Sequence, residues 1–174
     1  MTGDIKHSNT YQTLCTEYYD IDKPIAEVEA LNWYQSKAAI LNGPILEPMC
    51  GTGRFLIPFL REGYEVMGFD NSNHMLKICH QKFREENIDR GKAILANFES
   101  FKALTSFEMI IIPSGSFCLL TTKESVDIAM SQMHSWLSNS GRLFFEIDTV
   151  HSVEKDQGLY KAAWVDKEDK GKIV

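Results

Sequence analysis

Residues 45–54, Ile45-Leu46-Glu47-Pro48-Met49-Cys50-Gly51-Thr52-Gly53-Arg54, run a short apolar strand straight into a glycine-bearing turn. Gly43 and Pro44 punctuate the chain just before this stretch. An apolar-periodic segment, residues 55–60, follows it and is closed by Gly63. Two glycines one residue apart let the backbone turn sharply and come close to a ligand, because neither carries a Cβ. A helix beginning at this turn presents free N–H groups and a partial positive charge at its start. Strand, turn and helix in immediate succession suit a nucleotide-like ligand that carries a carboxylate or a phosphate.

The same alternation continues along the chain. Ahead of the turn, Val28, Leu31, Tyr34, Ala38 and Leu41 fall at helical spacing within residues 26–42, with Asn42-Gly43 as a left-handed cap. The first strand is read at 45–47 and the first helix of the sheet at 53–62, with Pro58 near its first turn, where a missing N–H costs least. A second strand covers 65–69 and ends at Asp70. Ser72 caps the next helix, whose inner face carries Met75, Leu76, Cys79 and Phe83. A third strand covers 93–96, followed by Asn97-Phe98. The fourth, 107–112, is continuously apolar, as a strand buried on both faces should be, and stops at Pro113-Ser114-Gly115-Ser116. Thr121 and Glu124 have the spacing of a capping box, opening a helix that turns Val126, Ala129, Met130, Met133 and Leu137 inward. Asn139-Ser140-Gly141 then turns the chain into a fifth strand, 143–147.

Strands alternating with helices predict an α/β fold, a Rossmann-like doubly wound and mostly parallel sheet with helices on both faces. Ligands in such sheets bind beyond the carboxyl ends of the strands. Residues 47–53, Asp70, Asn97-Phe98 and residues 113–116 all fall there, so they are read as one site.

Composition narrows the function. At 174 residues, 44% hydrophobic and 24% charged, the chain is of ordinary globular make-up. A net charge of −6 disfavours sequence-independent nucleic-acid binding, which needs a basic face. No apolar run approaches a membrane span, and residues 1–10 have no apolar core of a signal peptide. Cys15, Cys50, Cys79 and Cys118 form neither a CxxC pair nor a metal-spaced cluster, so no metal is expected. Free thiols point to a reduced, cytoplasmic protein.

The ordered set ILEPMCGTGRF, GFDNSNHML with its Asp70 lying 23 residues after Glu47, ANFESF, FEMIIIPSGSF and LSNSGRLFFEI resembles the successive motifs of class I S-adenosylmethionine-dependent methyltransferases. The resemblance covers about residues 11–148. The lead-in YYDIDKP, ahead of a helix ending in Gly-Pro, is similar to the small-molecule branch. It implies the strand order 3-2-1-4-5, S-adenosylmethionine as cofactor, S-adenosylhomocysteine as product, and direct methyl displacement onto a small-molecule acceptor.

The resemblance assigns each motif a role. Glu47 helps hold the methionine end of the cofactor, and Gly51 and Gly53 allow its close approach beside Cys50 and Arg54. Asp70 accepts from both ribose hydroxyls, a task for which a carboxylate has two oxygens. Asn71 and Met75 flank the adenine, Asn97 bonds its edge, and Phe98 adds its backbone or ring. Pro113 and Ser114 line the reactive end. Tyr11 and Tyr19 close over the cofactor as part of a lid across residues 11–22. No residue is assigned as catalytic, since alignment and water exclusion can carry such a displacement. Asp148 and His151 are the candidate bases if one is needed, although their simpler reading is exposed turn residues.

The chain departs from the family pattern at two positions. Met49 stands at the usual first glycine of the loop, and Asn97 at the usual aspartate. A rival dinucleotide fingerprint, GxGxxG, fails because Leu56 occupies its third glycine, which leaves an NAD(P)-dependent oxidoreductase as the weaker reading. The end of the fourth strand lacks the Asp/Asn-Pro-Pro-aromatic motif of base N-methylating enzymes, and this too points to a small acceptor. A non-catalytic cofactor-binding protein, or a degenerate fragment of such an enzyme, is the non-enzyme alternative.

The expected organisation is one domain in three stretches: an N-terminal lid and helix (1–43), a cofactor-binding core (44–150), and the start of a substrate-covering hairpin (151–174). With the closing strands apparently missing, the chain reads as a C-terminally truncated member of the family. Its fifth strand is then an open edge that invites homo-oligomerisation.

Overall fold

The structure is a computed structural model and describes residues 13–89 and 92–148. Tyr11, His151 and the hairpin expected at the C-terminus lie outside the described residues.

Among the described residues five strands form one sheet in the order β3-β2-β1-β4-β5, every neighbouring pair parallel. They are β1 (Ile45–Pro48), β2 (Val66–Asp70), β3 (Lys92–Leu95), β4 (Phe107–Ile112) and β5 (Leu137–Phe145). The helices are α1 (Thr13–Asp22), α2 (Val28–Leu41), α3 (Leu56–Arg61), α4 (Asn73–Glu85) and α5 (Lys123–Trp136), with a 3₁₀ turn at Ser116–Leu119. Strand order and fold class are those expected from the sequence.

Side-chain alternation along the strands builds a core on each face. Ile45, Val66, Met109 and Ile111 pack with α2, α3 and α4 on one side. Leu46, Phe69, Ile110 and Ile112 pack with α5 on the other. On that second side Phe69 touches Phe98, Phe101 and Trp136, with ring centroids 5.4, 4.7 and 5.9 Å away. Each such pair adds about 0.5–1.5 kcal/mol beyond simple burial.

Local expectations are corrected at several places. Helix α3 begins at Leu56 rather than residue 53, because Gly53 has φ +82° and the turn continues through Phe55. The capping box is Thr122 with Ser125, not Thr121 with Glu124: the Thr122 hydroxyl accepts from Ser125 N–H at 3.1 Å. Met130, expected inward, is exposed, as is Val28 of the helical-spacing set, and Trp136 rather than Leu137 takes the inner position at the end of α5, Leu137 opening β5. Residues 139–141, expected as a turn before the last strand, are drawn into β5 as a bulge. Its register slips between Phe107↔Leu137 and Met109↔Arg142. Gly141 permits this, since a Cβ there would stand 2.7 Å from the Phe107 carbonyl oxygen.

The caps at Asn42 and Ser72 are as read. Asn42 lies at φ 49° and donates its N–H to Ala38 O, and Ser72 Oγ accepts from Met75 N–H at 3.3 Å. The four inner residues of α4 are all buried. Among the described residues no helix is long and apolar enough to cross a membrane.

Candidate functional site

β1 has β2 on one side and β4 on the other, so the connections diverge there and leave a crevice at the carboxyl ends of these strands. Two of the strand ends carry backbone strain. Met49, after β1, lies at φ 59° and Ser114, after β4, at φ 58°. Left-handed geometry is unfavourable for residues with a Cβ and clusters at functional sites. Ser114 and Gly115 (φ 68°) form a tight turn closed by Ser116 N–H onto Pro113 O at 3.3 Å.

The glycine turn is held from inside. Cys50 N–H donates to Phe69 O at 3.0 Å, and Gly53 N–H to Cys50 O at 2.9 Å. The Cys50 side chain is buried against Gly68, where a Cβ would meet it at 2.7 Å. Gly51 differs from its neighbours: among the described residues, a Cβ there would meet no atom within 4 Å. The turn is therefore tight on the sheet side and open at Gly51.

Three polar side chains are buried around this opening. Asp70, at the end of β2, accepts Gly51 N–H at Oδ2 (2.9 Å) and Ser72 N–H at Oδ1 (2.7 Å). Burial raises its pKa, against the lowering effect of the Ser72, Gly51 and Asn71 amides. Glu47, 3% exposed, is raised well above the usual carboxylate range, first by burial and then by the charge of Asp70. A backbone hydrogen bond from Leu56 and the charge of Arg54 oppose that rise. Glu47 Oε2 and Thr52 Oγ1 are both buried without a hydrogen-bond partner among the described residues. A buried polar atom without a partner costs about 1–3 kcal/mol, so two of them within and just before the glycine turn are a cost that a bound ligand could offset.

Arg54 faces the N-terminal segment. Its Nε donates to Ile25 O and its Nη1 to Tyr19 Oη, both at 3.1 Å, and the guanidinium carbon lies 5.8 Å from the Tyr19 ring centre. A Lys82–Asp20 ion pair joins α1 to α4 as well. Helix α1 is thus tied to the glycine turn and to the helix after β2.

The remaining residues singled out in the sequence are less uniform. Asn71 is exposed beside the Asp70 carboxylate, and Met75 is buried in the first turn of α4. Asn97 is exposed, its Oδ1 accepting Ser100 N–H at 2.8 Å. The Phe98 ring is committed to the core against Phe69 and Trp136, so only its backbone faces a ligand role. Pro113 is buried and Ser114 exposed. Asp148 lies over the turn after β4, with Oδ2 3.9 Å from the position of a Gly115 Cβ.

Sequence reasoning placed Thr52 inside the site stretch 47–53 but gave it no role of its own, although a hydroxyl between two close-approach glycines was the available signal. It also missed Glu146, which accepts the Tyr34 hydroxyl at 2.8 Å across 112 residues. No local pattern announces a contact at that separation. Among the described residues no group of three or more His, Cys, Asp or Glu is arranged to hold a metal ion.

Comparison with known proteins gives a consistent result. A family model described as a methyltransferase domain matches residues 45–141. A protein of Geobacillus sp. (strain WCH70) that bears a methyltransferase name is 28% identical over 119 residues, which is 68% of this chain and 47% of that protein. Among solved structures, an S-adenosylmethionine-dependent methyltransferase from Clostridium acetobutylicum superposes with a TM-score of 0.71 at 16% identity, over 91% of this chain and 66% of that one. The glycopeptide N-methyltransferase MtfA does so with a TM-score of 0.63 at 22% identity, over 70% and 53%. The chain spans about half the length of the curated relatives it matches.

Proposed function

The chain belongs to the class I S-adenosylmethionine-dependent methyltransferases, and on that premise we propose that it binds S-adenosylmethionine and transfers its methyl group to a small-molecule acceptor. The observation that carries this reading is the open turn at Gly51, fastened by the Asp70 carboxylate, together with the buried and unpartnered Glu47 Oε2 and Thr52 Oγ1 of the same strand-turn stretch. Those groups fit the cofactor. A ligand ammonium would favour the ionised form of Glu47, and the Asp70 carboxylate keeps acceptor capacity for the ribose beyond its backbone bonds. Gly51 and Gly53 leave room for the ligand backbone. Asn71 and Met75 would flank an adenine, with Asn97 and the Phe98 backbone at its edge. Pro113 and Ser114 would line the reactive end. Tyr11, Tyr19 and Arg54 belong to the lid in this reading, and Cys50 packs the turn from beneath.

When bound, S-adenosylmethionine supplies a methyl group on a sulfonium, ready for in-line displacement, and S-adenosylhomocysteine remains. The task of the protein is then alignment and exclusion of water, with Asp148, whose Oδ2 lies over the turn after β4, placed to serve should a proton need an acceptor. The MtfA similarity supports a small acceptor. Four free cysteines, two of them buried, support a reducing cytoplasmic setting. Among the described residues β5 is the last strand of the sheet, and its unpaired edge supports self-association by strand pairing. The division into lid (1–43), core (44–150) and covering hairpin (151–174) belongs to the same proposal.

Calorimetry with S-adenosylhomocysteine tests the binding half, and release of S-adenosylhomocysteine over a panel of small amines, alcohols and thiols tests the transfer. Binding without turnover on any acceptor would favour the non-catalytic alternative. Absence of binding would remove the reading altogether.

A further inference from the structure

A second concave surface lies apart from the glycine turn. It is an open groove of about 420 Å³ between α2 and β5, walled by Trp33, Tyr34, Phe144 and Glu146. Its size is within the usual range for small-molecule sites. The aromatic walls stand at right angles: Trp33 meets Tyr34 at 5.1 Å and 85°, and Phe144 at 5.3 Å and 90°. Among the described residues Glu146 is the sole charged residue of the lining, and the nearby Lys37 ammonium is engaged with the Trp33 ring.

Several observations connect this groove with the crevice. Glu146 N–H donates to Ile112 O, the last residue of β4, so the groove opens one residue from Pro113. The Tyr34 hydroxyl donates to Glu146 at 2.8 Å, and its ring packs at 5.6 Å on Phe55, just past the glycine turn. Glu47 and Glu146 both help raise the Tyr34 pKa, after burial, so this phenol lies in the field of both carboxylates and stays protonated.

Aromatic faces attract cations through their quadrupole, and a carboxylate at the rim adds direct Coulomb attraction. The Trp33 ring already does this within the chain, with the Lys37 ammonium 5.0 Å above its centre. We propose that the groove between α2 and β5 is a binding site for a small organic ammonium compound, held by the Trp33, Tyr34 and Phe144 rings and by Glu146. Charge complementarity commits the occupant: beyond its bond from Tyr34, the Glu146 carboxylate attracts a cation, is not neutralised by an apolar ligand, and repels an anion. That a bound primary, secondary or tertiary amine is the methyl acceptor, its ammonium first losing a proton to water so that the nitrogen lone pair forms the new C–N bond as the C–S bond breaks, rests on the transferase reading above; the binding itself does not.

The test follows the Trp33 indole N–H signal in ¹H–¹⁵N spectra of the full chain, assigned among three tryptophans by loss in Trp33→Leu. Choline is the probe, and 3,3-dimethylbutan-1-ol its uncharged isostere. Choline should shift the signal saturably, and the alcohol much less. Glu146→Gln should weaken choline about tenfold. Tyr34→Phe, which keeps the carboxylate, should retain binding and so controls for any folding defect in the first variant. Equal shifts by both probes would reduce the groove to an apolar patch. No shift by choline up to about 100 mM, or a shift driven by protein concentration alone, would mean that residues 149–174 or a second copy fill it. Either result overturns the proposal. S-adenosylhomocysteine calorimetry on the same sample keeps the two readings apart, since each can fail while the other stands.

Discussion

Asp70 Oδ2 accepts the N–H of Gly51 at 2.9 Å, so the end of β2 fastens the turn that follows β1. One carboxylate thereby shapes the turn and faces the opening beside it. Asp70→Ala removes both capacities. Its affinity for S-adenosylhomocysteine should fall at least tenfold, since bonds to a charged group contribute about 1.5–3 kcal/mol each. Equal affinity of wild type and variant by calorimetry would sink the ribose assignment.

The two glycines of the turn should respond differently to alanine. At Gly51 the new Cβ meets nothing, and the φ of +54° costs about 1–2 kcal/mol. At Gly53 the Cβ would stand 2.8 Å from Cys79 Sγ, so strain and overpacking add to about 2–4 kcal/mol. Urea unfolding measures both. Gly53→Ala costing no more than Gly51→Ala would contradict the crowding, while Cys79→Ala in the same chain should recover part of the loss.

Glu47 makes stability depend on pH in a defined direction. Its folded-state pKa is raised, so the folded state binds more protons than the unfolded one and stability falls as pH rises. The contribution is complete below the ordinary carboxyl range and is lost as pH climbs through the raised value. Asp70 acts in the same direction. Glu47→Gln should therefore be more stable than wild type at about pH 8 and lose that advantage near about pH 4. Denaturant midpoints of the two proteins that stay parallel across this range would refute the assignment.

Thiol chemistry should divide the cysteines in two. Burial pushes the Cys79 thiol up to about 12 and raises Cys50 well above its usual value, whereas Cys15 and Cys118 are exposed. With a chromogenic disulfide reagent at neutral pH, Cys15 and Cys118 should react at once and the other two only on unfolding. Rapid labelling of Cys50 in the native state would mean that the glycine turn opens readily.

Arg54 should control α1 rather than the sheet. Its bonds to Tyr19 and Ile25 use the fork of the guanidinium, which lysine cannot reproduce. In Arg54→Lys, amide exchange in Thr13–Asp22 should accelerate while β1 and β4 stay protected. Added S-adenosylhomocysteine should slow exchange in α1 of the wild type if this helix is a lid. Unchanged protection in both experiments would leave α1 as ordinary packing.

Much of this molecule is written in local patterns. The apolar runs of β1, β2 and β4, the glycines at 51 and 53, the cap at Ser72 and the inner face of α4 each follow from period, backbone freedom or capping chemistry over a few residues. Strand order then followed from the family resemblance of the ordered motifs, and the positions of Glu47 and Asp70 at strand ends followed from the strands themselves.

Tertiary structure decided what depends on distant partners. Bulging of Asn139–Gly141 into β5 came from pairing with β4, which recruited backbone that local turn propensity would have left out. The Phe98 ring was drawn into the core by Phe69 and Trp136, and Arg54 was drawn to α1 by Tyr19. Glu146 became part of a groove because a chain crossing brings it to Tyr34. Periodicity reports which face of an element is apolar. It carries no term for which side chain waits opposite, and only the packed sheet supplies that.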